Sequence, residues 1–223
     1  MSAAISPLPM YRALVGIGIG CGLLIALVHV GTLPHIERQR AAALERAVFA
    51  VLPGAASRAT FELGEAGELL ADTAAGGSRL HAGYDAAGQF VGVAIEAAGM
   101  GYADTIEILY GYVPADERIV GLRVLASKET PGLGDKIETD ERYRANFAAL
   151  DVRLDAAGTS LVNPIEVVKP GTKSEAWEID GITGATISAQ AVGNTVAASA
   201  ARWLPVIRRN LETLAAGGQH DEP

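Results

Sequence analysis

A segment near the C-terminal end of the chain combines hydroxyl side chains with residues that have small side chains or none. It reads Asp-Gly-Ile-Thr-Gly-Ala-Thr-Ile-Ser from Asp180 to Ser188. An apolar pattern with roughly helical spacing follows from Ala189 to Leu214, so we predict a helix N-terminus close to Thr186 and Ser188. Unpaired N–H groups and the positive end of the helix dipole favour an anion there. The segment therefore suits the handling of a phosphate, and the alternative interpretation is a Ser/Thr N-cap after a glycine turn.

A second segment with special backbone requirements runs from Ser127 to Lys136 and contains Glu-Thr-Pro-Gly-Leu-Gly. It follows the apolar run Ile119–Leu125, which is typical of a strand. Taken alone, the segment predicts a tight turn, because proline fixes φ and glycine relieves steric limits.

The first segment closely resembles the flavinylation motif of the FMN-binding domain family, Asp-Gly-x-Thr-Gly-Ala-Thr. In that family a flavin transferase attaches FMN covalently, through its phosphate, to the threonine that follows Gly-Ala. The resemblance implies that Thr186 is the acceptor and that Asp180 is the aspartate that the transferase recognises. The capping interpretation is compatible with this one, since both need a helix N-terminus at the segment.

The second segment resembles the Glu-Thr-Pro-Gly-x-Gly loop that lies against the flavin in the same family. The resemblance implies that the Glu129 carboxylate and nearby amides meet the polar edge of the ring, and that Leu133 meets an apolar face. We expect no catalytic residue in the chain itself, because the flavin carries the redox chemistry. The predicted cofactor contacts are Thr186 as the covalent site, with Glu129, Thr130, Gly132, Leu133, Asp180, Thr183, Gly184, Ala185 and Ser188.

An apolar stretch near the N-terminus, from Ala13 to Leu33, is long enough to span a bilayer as one helix. A cleaved signal peptide is the alternative, but only Arg12 flanks the stretch and no small-x-small cleavage site precedes a polar segment. Cys21 does not fit a lipoprotein signal, because Gly18 stands where leucine is usual and apolar residues continue after the cysteine. We therefore predict a transmembrane anchor.

Basic residues say little about the orientation of this anchor. Arg12 precedes the span, whereas Arg38, Arg40 and Arg46 follow it, and this bias weakly favours a cytoplasmic location for the large domain. The family resemblance implies a domain outside the cytoplasm. We follow the resemblance and predict a single-pass protein of the bacterial inner membrane with its C-terminal domain in the periplasm.

The composition and the spacing of polar residues argue against other kinds of site. The net charge of −8 disfavours nucleic acid as a partner. Neither a Gly-x-Gly-x-x-Gly element after a strand nor a phosphate-binding loop is present. Lys169 and Lys173 are candidates to balance a phosphate, although solvated lysines are the commoner arrangement. The histidines are too far apart in sequence to indicate a metal site or a catalytic triad, and they are His29, His35, His81 and His220.

The elements predict an α+β fold. With the family resemblance, we expect one N-terminal transmembrane helix followed by a single FMN-binding domain with a mainly antiparallel, twisted sheet flanked by helices. Gln89–Ile95 echoes Arg118–Val124, and a glycine loop follows each, which favours either an internal duplication or shared strand-and-turn chemistry. The predicted strands are Thr60–Leu63, a meander of Phe90–Ile95, Thr105–Tyr112 and Ile119–Leu125, then Ile165–Lys169 and Trp177–Ile179, with a short helix at Arg142–Leu150.

The predicted organisation has five parts, and the stretch 54–77 is expected to be irregular apart from its one strand. The parts are a cytoplasmic N-terminus at 1–12, the anchor at 13–33, an amphipathic linking helix at 34–52, a periplasmic FMN-binding domain at 53–215, and a disordered tail at 216–223.

Over its whole length the chain resembles the G subunits of Rnf electron transport complexes, although only the two loops are specific. The resemblance implies an electron-relaying subunit of an ion-translocating oxidoreductase that is not catalytic alone, with subunits A, B, C, D and E and a flavin transferase as partners. The C subunit of sodium-translocating NADH:quinone oxidoreductase is the alternative within the family. A non-redox, membrane-anchored binding module with Thr186 as a helix cap is the alternative outside it.

Overall fold

The computed structural model describes residues 8–63, 69–71 and 79–217 of the chain. Parts of the predicted N-terminal segment, of the stretch 54–77 and of the predicted tail lie outside these residues. The helices are α1 (Leu8–Val51), α2 (Lys136–Thr139), α3 (Glu141–Ala145), α4 (Thr186–Arg209) and α5 (Leu211–Ala216), with a 3-10 turn at Asn146–Ala148. The strands are β1 (Ser57–Leu63), β2 (Leu69–Ala71), β3 (Arg79–Tyr84), β4 (Phe90–Met100), β5 (Thr105–Val113), β6 (Arg118–Ala126), β7 (Leu150–Asp151), β8 (Glu166–Val168) and β9 (Glu178–Asp180).

Helix α1 is one continuous helix of 44 residues that covers both the predicted anchor and most of the predicted linking helix. Pro34 lies inside it without ending it. Within the described residues, α1 is the helix that is long and apolar enough to cross a membrane. The chain divides into two compact units, one up to Leu44 and one from Glu45 onward, so the last turns of α1 belong to the second unit.

Seven strands form one antiparallel sheet in the order β2-β1-β3-β4-β5-β6-β7. The predicted meander is confirmed, because β4, β5 and β6 are neighbours in this order. The stretch 54–77 was predicted to hold one strand, and the structure places two there, β1 and β2. Strand β3, which precedes the meander, was not predicted. The α+β class is as predicted.

Helix α4 packs on one face of this sheet and buries the main hydrophobic core. Val192, Val196 and Trp203 lie at helical spacing on its buried side. A side chain at Gly99 of β4 would collide with Thr195 of α4, and one at Gly193 of α4 would collide with Val167 of β8. These close approaches fix the position of α4, and so of its N-terminal end, against β4 and β8.

The other face of the sheet holds the C-terminal end of α1 in a groove of glycines. Val48, Val51 and Leu52 are fully buried there. Any side chain on the groove would press against Val51 or Leu52, so only glycine leaves room for the helix end. The glycines come from four neighbouring strands and are Gly83 of β3, Gly92 of β4, Gly111 of β5 and Gly121 of β6.

Short elements between β6 and α4 connect the two motif segments. Helix α3 and the 3-10 turn occupy most of the predicted helix Arg142–Leu150. β8 and β9 form a parallel pair where two strands were predicted. β9 ends at Asp180 and α4 begins at Thr186, so the hydroxyl-rich segment is a short connection between a strand and a long helix.

Candidate functional site

The two motif segments meet at the carboxylate of Glu129. The Ser188 hydroxyl, in the first turn of α4, donates a hydrogen bond to Oε2 of Glu129. The Ala103 N–H donates to Oε1 at 2.9 Å, and Glu129 is only 6% exposed. One buried carboxylate therefore joins the loop after β6, the turn between β4 and β5, and the start of α4.

The surroundings of Glu129 favour its ionised form. Burial raises its pKa, but the Ser188 hydroxyl and the amides of Tyr102, Ala103 and Asp104 outweigh burial, so the pKa lies below the ordinary value for glutamate. Both carboxylate oxygens already accept hydrogen bonds inside the protein. A contact between this carboxylate and a flavin ring stays a prediction and would have to share these oxygens.

Two glycine loops close around the same carboxylate. A side chain at Gly101 would collide with Oε1 of Glu129, and one at Gly134 would collide with Oε2 and with the Ser188 hydroxyl. Gly101 and Gly134 belong to the two glycine loops of the sequence echo. The need for space around one carboxylate gives a packing reason for glycine at both positions.

Thr186 is the first residue of α4, and its side chain is exposed. Ala185 occupies the N-cap position, and among the described residues no side chain forms a capping hydrogen bond. The interpretation of Thr186 as a helix cap is therefore wrong. Its hydroxyl lies in the first turn and makes only a long contact of 3.5 Å with the Ile182 carbonyl. The N–H groups of this turn have no intrahelical acceptor and can bind an anion.

The residues around Thr186 divide into a buried and an exposed set. Ala185 and Ser188 are buried, whereas Thr183 and Gly184 are exposed. Gly184 has a φ of 82°, in the left-handed region that favours glycine. Because Ser188 is committed inside the protein, Thr183 and Thr186 are the hydroxyls of the segment that an outside group can reach.

Asp180 holds the local structure together. Its Oδ1 accepts hydrogen bonds from the amides of Gly171 at 2.7 Å and Thr172 at 3.3 Å. The Asn146 side chain holds its backbone, because Nδ2 donates to the Asp180 carbonyl at 3.2 Å and Oδ1 accepts from its N–H at 3.0 Å. Asn146 was not predicted from the sequence, since an isolated asparagine in a helical pattern gives no signal of a distant partner. Recognition of Asp180 by a transferase stays a prediction.

Exposed apolar side chains flank the site. Met100 is 73% exposed, Tyr102 69%, Leu133 52% and Ile187 54%. Tyr102 is next to the amide that binds Glu129, and Ile187 follows Thr186 in the sequence. Exposed large apolar side chains are typical of binding surfaces when they form one patch, and these four lie on the segments that meet at Glu129. Of the four, Leu133 was predicted as a cofactor contact. The others were not predicted, because an apolar residue at the end of a strand or helix is more often buried.

The Glu-Thr-Pro-Gly loop is open to solvent on this side. Thr130 and Gly132 are exposed, and Gly132 has a φ of 78° with no atom within 4 Å of the position that a Cβ would take. Lys136, at the end of the loop, places its Nζ 3.6 Å from the position that a Cβ would take on Gly184. The structure thus brings the predicted residues of the two segments into one region and adds Lys136 to them.

Known proteins match the chain across this region. Residues 101–201, which include both motif segments, match the FMN-binding domain family. The G subunit of the ion-translocating oxidoreductase complex of Pseudoalteromonas atlantica is 33% identical over 180 residues, which cover 78% of this chain and 77% of the relative. The chain belongs to the family of G subunits of ion-translocating oxidoreductase complexes.

Other G subunits of such complexes match over shorter ranges. The Pasteurella multocida relative is 39% identical over 101 residues, 45% of each chain, and the Methanosarcina acetivorans relative is 37% identical over 110 residues, 49% of this chain and 50% of that one. The chain therefore spans about half the length of these relatives.

Solved structures of a different kind of subunit share the fold. The crystal structure of Shewanella oneidensis NqrC has a TM-score of 0.60 and 18% identity, covering 80% of this chain and 99% of that one. The C subunit of the Na(+)-translocating NADH-quinone reductase of Parabacteroides distasonis gives the same TM-score and identity, over 78% and 96%. At this identity the likeness concerns the fold alone.

Proposed function

We propose that the chain is a membrane-anchored flavoprotein subunit that carries FMN, linked through its phosphate to Thr186, and relays electrons in an ion-translocating oxidoreductase complex. The observation that carries the proposal is the meeting of the two motif segments at Glu129 and Ser188, beside an exposed threonine at an uncapped helix N-terminus. Membership of the G-subunit family and the match to the FMN-binding domain family support the cofactor and the role.

The residues at this place fit the chemistry of FMN. The first-turn N–H groups of α4 suit a phosphate, and Gly184 leaves the backbone open beside Thr186. The exposed Met100, Tyr102 and Ile187 offer apolar surface to a planar ring. A groove of about 960 Å³ opens along α4 and β4, lined by residues that include Met100, Ala191 and Arg202, and Met100 is the residue it shares with the exposed apolar side chains around the site.

The bound flavin supplies the redox chemistry, and the chain holds it in place. The Thr186 linkage keeps the cofactor at the membrane without relying on equilibrium affinity. Glu129, through Ser188, fixes the first turn of α4 to the loop that carries Leu133, so the attachment point and the apolar surface keep one geometry. Nothing here requires a catalytic residue on this chain, and the subunit is proposed to act only within its complex.

Formation of the linkage needs an activated donor. The Thr186 oxygen forms a bond to phosphorus only when the phosphorus carries a leaving group, so the donor is a flavin dinucleotide with a phosphoanhydride. The anhydride P–O bond breaks as the Thr186 P–O bond forms, a nucleoside monophosphate leaves, and the hydroxyl proton passes to a base. The exposed Thr186 hydroxyl has no strong hydrogen bond to lose in this step. We propose a separate flavin transferase as the catalyst.

The proposed setting is the bacterial inner membrane, with α1 as a single-pass anchor and the FMN-binding domain in the periplasm. The exposed apolar residues of α1 support the anchor, since such a surface is stable in lipid. The proposed partners are the Rnf subunits A, B, C, D and E. The C subunit alternative loses weight, because the three relatives reported above, at 33–39% identity, are G subunits and the likeness to NqrC rests on 18% identity.

Replacement of the acceptor tests the proposal. The full chain, expressed with a flavin transferase and denatured, is expected to give a fluorescent band in a gel. Thr186→Val is expected to abolish the band, because one hydroxyl is lost at similar volume and the site is exposed. Thr213→Val makes the same substitution at an exposed threonine of α5, outside both motif segments, and its band is expected to keep the wild-type intensity. Thr183→Val is made as well, to test the other exposed hydroxyl of the segment.

The outcomes separate the possible errors. A wild-type chain without a fluorescent band would contradict covalent flavin altogether. A band that survives in Thr186→Val and disappears in Thr183→Val would move the acceptor to Thr183. Mass spectrometry of the flavin-bearing peptide identifies the residue in either case.

A further inference from the structure

Lys136 carries a positive charge next to the attachment segment. Its Nζ lies 3.6 Å from the position that a Cβ would take on Gly184, two residues before Thr186. Within the described residues, no hydrogen bond or ion pair involves the Lys136 side chain. An unpaired cation is notable in a chain with a net charge of −8, which offers many carboxylates.

The other lysines of the chain are engaged elsewhere or exposed. Lys128 donates to Asp104 at 2.5 Å. Lys173 donates to Asn146 at 3.2 Å, and burial lowers its pKa although Asp180 and Glu178 act in the opposite direction. Lys169 is exposed, and its carbonyl belongs to the turn before the motif. Lys169 and Lys173 were the sequence-based candidates for a phosphate partner, and the geometry favours Lys136 over both.

Within the described residues, the buried carboxylate of the site forms no ion pair with Lys136. Glu129 uses its two oxygens for Ser188 and for the amide of Ala103. The positive end of α4 adds to the lysine charge, because Ala185 leaves the helix without a capping side chain. The lysine charge and the positive end of α4 therefore lie close together beside Gly184, two residues before Thr186.

We propose that Lys136 is a positioning residue that pairs with the phosphodiester formed at Thr186. This inference rests on the proposed function and extends it, because it names the group that makes the site select a phosphorylated flavin. A phosphodiester keeps one negative charge near neutral pH, and a lysine ammonium is a suitable partner for it. Helix α4 positions the phosphate. Lys136 balances the negative charge of the phosphate while the bond to the Thr186 oxygen forms and after it has formed.

The first measurement is the rate of covalent flavin incorporation into the full chain by a flavin transferase. Lys136→Gln is expected to slow incorporation about tenfold, the equivalent of roughly 1.4 kcal/mol. Lys136→Arg keeps the charge and is expected to restore most of the rate. Lys169→Gln removes the same charge from an exposed position and is expected to leave the rate unchanged.

The second measurement does not depend on the transferase. Thermal unfolding is compared for each variant with and without covalent flavin, using the tryptophan fluorescence of the full chain in detergent. Flavin attachment is expected to raise Tm less in Lys136→Gln than in wild type, by about 3 °C for a domain of this size. The flavin-free chains are expected to have nearly equal Tm, since the Lys136 side chain has no hydrogen-bond or ion-pair partner among the described residues.

The two readouts make the inference refutable on its own. A slower rate without a change in the flavin-dependent Tm would mean that Lys136 contacts the transferase and not the phosphodiester. If Lys136→Gln behaved like wild type in both measurements, Lys136 would be an ordinary surface lysine. A wild-type chain that never acquires flavin would contradict the proposed function itself, which is a distinct result.

Discussion

Glu129 is the residue on which the geometry of the site depends most. Its burial would favour the neutral acid, and only the surrounding donors keep the charge inside the protein. Ser188 and the amide of Ala103 come from segments distant in sequence, so the charge orders three pieces of chain at once. This arrangement makes stability sensitive to the protonation of one side chain.

We predict that Glu129→Gln lowers the free energy of unfolding by about 2–3 kcal/mol at pH 7, because a neutral amide replaces an ionised acceptor and turns an N–H group toward donors. The folded pKa of Glu129 is depressed, so its stabilising contribution is present above the unfolded value and is lost as pH falls through the folded value. The difference in the free energy of unfolding between wild type and Glu129→Gln is therefore expected to shrink below about pH 4. Urea unfolding of both proteins from pH 7 to pH 3 measures this difference.

Glu138 provides a control, because its pKa is shifted in the opposite direction from that of Glu129. Burial and then Asp135 raise its pKa, so its charged form is disfavoured in the folded state. Glu138→Gln is expected to leave stability at pH 7 unchanged or slightly higher. A gap for Glu129→Gln that stays constant down to pH 3 would argue that Glu129 contributes through shape and not through charge.

At the scale of elements, the glycine groove on the sheet decides where α1 ends. Gly111 is the tightest position, because a Cβ there would meet the backbone carbonyl of Val51, which has no rotamer to change. Gly121 is less tight, with Val51 Cα 3.0 Å from the position of its Cβ. The groove thus explains why glycine recurs within four strands, where it is otherwise unfavourable.

We predict a graded loss of stability from alanine in the groove. Gly111→Ala is expected to cost about 3 kcal/mol or more and Gly121→Ala about 1 kcal/mol, because overpacking against backbone cannot relax. Chemical denaturation followed by tryptophan fluorescence measures both. Equal effects at the two positions would contradict a rigid contact with Val51.

The meander and the helix after the motif could be predicted because their signals are local. β5 and β6 carry β-branched and apolar runs between turns, and α4 has a clear helical period. β3 was missed, since an alanine, a histidine and a glycine interrupt its apolar pattern and its place depends on pairing with β1 and β4. The pairing of distant strands cannot be predicted from any single stretch of sequence.

The site was predicted in part for the same reason. The motif resemblance identified Thr186 and the Glu-Thr-Pro-Gly loop, each from a single stretch. The bonds from Glu129 to Ser188 and from Asn146 to Asp180 join residues 59 and 34 positions apart, and no local pattern indicates them. Lys136 was passed over because a lysine in a loop is usually solvated, and only the approach to Gly184 gives it a role.

At the scale of the whole molecule, the end of α1 belongs to the folded domain. The second compact unit begins at Glu45, whereas the sequence-based boundary was at 53. Val48, Val51 and Leu52, which lie between these positions, are fully buried. Complete burial of such side chains contributes roughly 1.5–3 kcal/mol each, a large share of the 5–15 kcal/mol that typically stabilises a domain.

We predict that the fragment 45–223 folds without the apolar part of α1, and that the fragment 53–223 is much less stable because the glycine groove loses the side chains that fill it. Urea unfolding of the two purified fragments is expected to give a far lower midpoint for 53–223.

The urea midpoint of Leu52→Ala in the longer fragment is expected to fall between those of the two fragments, because the substitution costs about 2–5 kcal/mol. Equal midpoints for the two fragments would mean that the helix end only rests on the sheet, and the domain would then begin after Leu52. A stable 45–223 fragment that still accepts flavin from a transferase would separate the roles of α1, with membrane anchoring before residue 45 and support of the sheet after it.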